Sequence, residues 1–152
     1  RVGLFLAGGQ RTLDAWNQPG GKAPPSLEDG IVFAAELSQM RFPGTELVVL
    51  SACETGLGDV ESGEGVMGFS RALETAGVAN TLITLWPVDD LATVGFMGGF
   101  YEKLSRGVAY GEALQTTQME ELLKFRNSDG IAASIRLAAP FQIVGSDSSV
   151  LQ

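Results

Sequence analysis

The chain has 152 residues, 45% of them hydrophobic, with one cysteine, no histidine and a formal net charge of −8. That length and apolar content suit one packed core, while the negative charge argues against a nucleic-acid partner, whose phosphates call for clustered Lys and Arg. One cysteine excludes an internal disulfide and any multi-cysteine zinc site, and no stretch approaches the ~18 uninterrupted apolar residues of a membrane span.

Val2–Ala7 reads as a short apolar strand. Gly8–Asp29 reads as a polar loop, because Pro19-Gly20-Gly21 and Pro24-Pro25 interrupt any core element. Gly30–Phe33 re-enters as an edge segment, and Ala34–Met40 is a short helix that stops before Pro43. Glu46–Ala52 is a strand buried on both faces. Glycines 56, 58, 63 and 65 form a loop, after which Val66, Phe69, Leu73 and Ala76 mark one face of a helix ending at Gly77. Thr81–Trp86 is a second buried strand, broken by Pro87. Leu91, Val94, Met97, Phe100/Tyr101 and Leu104 define an amphipathic helix up to Gly107, and Ala109–Phe125 a further one. Phe141–Val144 is a closing strand. Residues 1–145 make one domain and 146–152 a flexible tail. Strands alternating with helices at this spacing mean a layered α/β sheet. No internal repeat is visible.

The most informative peptide is Leu47-Val48-Val49-Leu50-Ser51-Ala52-Cys53-Glu54-Thr55-Gly56. A four-residue apolar run ends in small residues and a lone thiol, and chemistry in open α/β sheets sits just past the carboxyl ends of such strands. Cysteine is also among the most buried residue types, so the residues alone leave Cys53 open between a nucleophile and a core thiol. Glu54, Asp59, Glu61 and Glu64 form an acidic cluster that either attracts basic side chains or is simply a solvated loop. Gly63-Glu64-Gly65 lacks the Lys and the spacing of a phosphate loop, and Ser51 and Ser70 have no His for an ordinary triad. No cofactor and no metal site is indicated.

The peptide around Cys53 resembles the signature of the CHAT domain, a branch of the caspase-like cysteine peptidases related to separase. Gly63-Glu64-Gly65-Val66-Met67-Gly68, Leu85-Trp86-Pro87-Val88-Asp89-Asp90, Phe100-Tyr101-Glu102-Lys103-Leu104 with Gly107, and Glu112-Ala113-Leu114 follow in the family's order. The resemblance implies a caspase-like layered α/β fold, with a mostly parallel central sheet flanked by helices. It also implies that the sheet is incomplete at its N-terminal side, since Arg1–Gly8 looks like the segment shortly after the family's His-Gly.

By the same resemblance Cys53 is the nucleophile, its backbone N–H is one oxyanion donor, and the His comes from the N-terminal part of the same protein, outside these residues. Glu54, Trp86, Asp89 and Asp90 are candidate substrate contacts. Asp89 is the better pocket candidate and Asp90 the helix cap, while Trp86 either walls a pocket or fills the core. The implied activity is hydrolysis of peptide bonds in a protein or peptide substrate, with helical TPR repeats upstream as the family often has them; separately, the lone reduced thiol and the lack of a signal peptide at the start of the sequence favour a cytoplasmic protein. The alternative is a non-catalytic interaction or scaffold module.

Overall fold

The computed structural model describes residues 3–20, 29–50 and 64–145. The described residues form six helices and five strands in two small sheets, a mixed α/β arrangement. The smaller sheet pairs β1 (Gly3–Phe5) antiparallel with β2 (Ile31–Phe33). The larger holds β3 (Leu47–Leu50), β4 (Asn80–Thr84) and β5 (Phe141–Gly145) in that order. β3 and β4 run parallel in register Leu47↔Asn80 to Leu50↔Ile83, and β5 runs antiparallel to β4 from Thr84↔Phe141 to Asn80↔Gly145.

Alternation along β3 builds the layers. Leu47 and Val49 join a hydrophobic cluster with Leu82, Phe96, Phe100, Leu104, Ala113 and Phe141, while Val48 and Leu50 join a second cluster with Leu37, Phe69, Leu73 and Val78. The first cluster is covered by α4 (Asp90–Ser105) and α5 (Tyr110–Ser128), the second by α2 (Ala34–Leu37) and α3 (Glu64–Thr75). Every residue of β4 is buried, as a strand covered on both faces requires, whereas β3 is only half-buried along its length. In the core Phe96 and Phe141 stack face to face, with ring centroids 3.7 Å apart and planes 7° from parallel.

The stops of α3 and α4 fall where glycine allows them. Gly77 (φ 99°) and Gly107 (φ 79°) take the left-handed conformation. Around the first, the N–H of Val78 donates to Leu73 and that of Gly77 to Glu74; around the second, Val108 donates to Lys103 and Gly107 to Leu104. Both ends are thus Schellman closures that satisfy the last carbonyls of each helix.

Three expectations need correction. Of the two pairings of the larger sheet among the described residues β3–β4 is parallel and β4–β5 antiparallel, so the described part of that sheet is mixed instead of mostly parallel. The reason lies in helix length. α5 begins at the amino edge of the sheet, where the Tyr110 hydroxyl donates to Glu46 at 3.1 Å, and reaches the carboxyl edge, where Gln118 donates to the Phe141 carbonyl at 2.8 Å. The following α6 (Ile131–Ala138) has eight residues, about 12 Å, too few to carry the chain back, so β5 starts beside the end of β4.

The stretch read as a loop contains α1 (Gly9–Trp16). That helix is held by tertiary contacts: Thr12 donates to the Asp29 carbonyl at 2.6 Å, Trp16 stacks on Phe33, and Gly9 lies so close to Gly30 that an added Cβ would sit 2.6 Å from the Gly30 carbonyl oxygen. Finally, α4 turns Ala92, Phe96, Phe100 and Leu104 inward, leaving Leu91, Val94 and Tyr101 outside.

Candidate functional site at the carboxyl edge of the parallel strands

β3 and β4 are parallel neighbours, so the chain leaves both at the same sheet edge, about 4.8 Å apart at the Leu50–Ile83 pair. Two of the sequence-derived segments begin there: Ser51-Ala52-Cys53-Glu54 after β3 and Leu85–Asp90 after β4. Cys53 and Glu54 lie outside the described residues. So do Ala52 and Gly56, the acidic residues Asp59 and Glu61, and the 146–152 tail.

The segment after β4 is fixed from behind by the α6–β5 region. The N–H of Leu85 donates to the Pro140 carbonyl at 3.0 Å, and the indole N–H of Trp86 donates to the Arg136 carbonyl at 3.0 Å. Pro87 ends the ladder because it has no N–H to offer. Val88 is buried in the cluster of Phe96 and Phe100, which holds down the chain just before Asp89. Trp86 is half-buried, and the Arg136 carbonyl satisfies its indole N–H. Arg136 and Pro140 contribute only backbone carbonyls, and no side-chain pattern in the sequence could have announced them.

The cap assignment is reversed from the sequence reading. Asp89, not Asp90, is the N-cap of α4: its backbone is non-helical (φ −58°, ψ 138°) and its Oδ1 accepts from the N–H groups of Leu91 at 3.0 Å and Ala92 at 3.2 Å. Asp90 is the first helical residue, where a carboxylate still favours the positive end of the helix dipole. Both aspartates are exposed. Both cap bonds converge on Oδ1, so the Oδ2 of Asp89 meets no N–H donor among the described residues. Asp89→Ala is expected to destabilise the domain by about 1 kcal/mol and Asp89→Asn by a few tenths at most, since an amide oxygen caps nearly as well. Denaturant melts of the two variants check this.

Other polar features lie elsewhere. The Tyr110–Glu46 pair stands at the amino edge of the sheet, where burial first and then the neighbouring Glu46 carboxylate raise the phenol's pKa above its ordinary value. Among the described residues no group of three or more His, Cys, Asp or Glu could hold a metal ion, and no helix is long and apolar enough to cross a membrane.

The CHAT domain family model matches residues 1–146. The chain belongs to the CHAT domain family. That family is caspase-like and related to peptidases. The chain is 29% identical over 129 residues to Tetratricopeptide repeat protein 28 of Mus musculus, and 28% identical over 129 residues to the protein of the same name from Homo sapiens. Each alignment covers 80% of this CHAT chain and 5% of the relative, so the chain spans a small fraction of the length of the relatives it matches. No solved structure matches.

Proposed function

We propose that this chain is the cysteine-bearing part of a caspase-like peptidase that cleaves peptide bonds of protein substrates through Cys53. The observation that carries this reading is the family match, which runs unbroken across the only thiol of the chain. Its position in sequence, three residues past the end of a strand with a parallel neighbour, suits a nucleophile. In the proposed reaction the Cys53 thiolate attacks the scissile carbonyl carbon. The amine leaves with a proton from the catalytic base, and water then hydrolyses the thioester to release the acid and regenerate the thiol.

A thiolate near neutral pH needs a cation or base beside it. The sequence neighbours Glu54, Asp59 and Glu61 are acids, which oppose ionisation, and the chain has no histidine. The base is therefore a histidine from outside these 152 residues, in another part of the same protein or in a companion chain. Glu54, Trp86, Asp89 and Asp90 form the substrate side, with Asp89 receiving an Arg or Lys side chain on Oδ2 while Oδ1 caps α4. Asp89→Asn is then expected to lower kcat/KM on basic substrates by roughly tens to hundreds of fold with the melt unchanged. Asp90→Asn is the mild control. The TPR repeats in the relatives' name suggest a helical-repeat partner region for this domain, and the cytoplasm suits a reduced thiol.

The experiment is a peptidase assay on the 152-residue chain alone and together with the histidine-bearing part. Turnover is expected only in the mixture. Turnover by the chain alone that disappears in Cys53→Ala would place another base in the mechanism. The lack of histidine also suits a second reading, a non-catalytic interaction module, and a complete protein that is silent towards all peptides and thiol-directed probes would favour it.

A further inference from the structure

Each carbonyl of an α-helix accepts from the N–H four residues further on. For Arg136, in the last turn of α6, that residue is Pro140, which is fully buried and has no N–H. The regular pattern holds up to the residue before: Ala139 is still helical (φ −80°, ψ −15°), and its N–H donates to Ile135 at 3.0 Å. One residue later the donor comes from another element. The indole N–H of Trp86, 50 residues away in sequence, takes the place of the missing amide at 3.0 Å from the Arg136 carbonyl. Leu85 in turn donates its own N–H to the carbonyl of Pro140. Two neighbours in the β4–α4 segment thus grip the α6–β5 junction on either side of one proline.

We propose that Trp86 is a positioning residue for Asp89: by standing in for the Pro140 amide, its indole ties the β4–α4 segment to the end of α6 and fixes where the Asp89 carboxylate is presented. What Asp89 then receives rests on the peptidase reading; where it is held does not. The link from the indole to Asp89 is short and stiff. Pro87 between them has a ring-locked φ, and Val88 is buried among Phe96 and Phe100. At the far end Asp89 gives Oδ1 to the N–H groups of Leu91 and Ala92, so a shift of the segment moves the cap and the carboxylate together.

An indole suits this place. It offers a donor and no acceptor, which matches a carbonyl, while its apolar body is half-buried at the strand end. The bond itself lies at the surface, where water can take over at the carbonyl once the indole is gone. Its loss is therefore expected to loosen the segment without unfolding the domain.

Hydrogen exchange of the full chain, followed residue by residue by NMR, tests this. In the unaltered protein the Trp86 indole N–H is expected to exchange more slowly than that of a free indole. In Trp86→Phe the amides of Leu91 and Ala92 are expected to exchange roughly two- to tenfold faster, the opening that one lost hydrogen bond allows. Pro140→Ala separates placement from plain helix closure, since its new N–H can reach the Arg136 carbonyl. Compared with Pro140→Ala alone, the double variant Trp86→Phe/Pro140→Ala should keep Ala139 protected while Leu91 and Ala92 still exchange fast. Combined with the histidine-bearing part, Trp86→Phe should lower the preference for Arg or Lys over neutral peptides within the same range. An unprotected indole, unchanged Leu91 and Ala92 in Trp86→Phe, their return to the slow rate in the double variant, or an unchanged preference in an active mixture overturns the proposal. A mixture inactive on all peptides overturns the peptidase reading instead, and the exchange rates still decide the placement.

Discussion

Replacing Cys53 by Ala in the complete protein is expected to lower kcat/KM on peptide substrates roughly ten-thousand- to million-fold, the range seen when a covalent nucleophile is removed. Alanine cannot form the acyl intermediate, so only substrate binding and oxyanion stabilisation remain. Folding stability should hardly change. Cys53→Ser keeps nearly the same shape, but a serine hydroxyl ionises far less readily than a thiol, so its activity should also fall by orders of magnitude. The single cysteine makes a second check direct. Alkylation of these 152 residues by one mass increment, before they are combined with the histidine-bearing part, should abolish the turnover of the mixture in proportion to the modified fraction. A Cys53→Ala protein with wild-type turnover would remove the thiol from the mechanism.

The largest effect on stability is expected at Phe96. Its side chain is fully buried, and its ring lies flat against Phe141 of β5, so it joins α4 to the sheet. Truncation to alanine removes the transfer free energy of the ring, the stacking contact, and whatever part of the cavity the neighbours cannot fill. Together these cost about 3–5 kcal/mol, against a total stability of roughly 5–15 kcal/mol for a domain of ordinary size. A denaturant or thermal melt should show this loss for Phe96→Ala. Met119→Ala, at an exposed position on α5, should fall within about 0.5 kcal/mol of wild type. Similar losses at both positions would mean that the Phe96–Phe141 stack does not hold the two layers together.

Elements whose pattern was strong locally were legible. Leu47–Leu50 and Asn80–Thr84 are short apolar or β-branched runs bounded by breakers, and both are strands. The helices before Gly77 and Gly107 end where a residue without Cβ can close them. The segment after β4 was recognised as a site candidate from its order of residues, but the division of labour within it was not. Which aspartate caps a helix depends on where helical backbone begins, and that differs by one residue, Asp89 instead of Asp90, a boundary that periodicity does not resolve.

By itself the sequence determined the family, the two parallel strands, the position of the lone cysteine after the first of them, and the absence of any histidine within these residues. These follow from residue identity and local pattern, which need no partner elsewhere in the chain. Tertiary structure alone decided the rest. α1 is held by the partners that Thr12, Trp16 and Gly9 find near β2, and its one-sided spacing of Gly9, Thr12, Leu13 and Trp16 was overridden in the sequence reading by the breakers that follow at Pro19-Gly20-Gly21. The direction of β5 was set by how far an eight-residue helix can travel. The inward face of α4 is that of Ala92 and Phe96 because the Phe141 ring is there to receive it. An apolar residue on a helix with two apolar sides cannot specify its face until the sheet has chosen one.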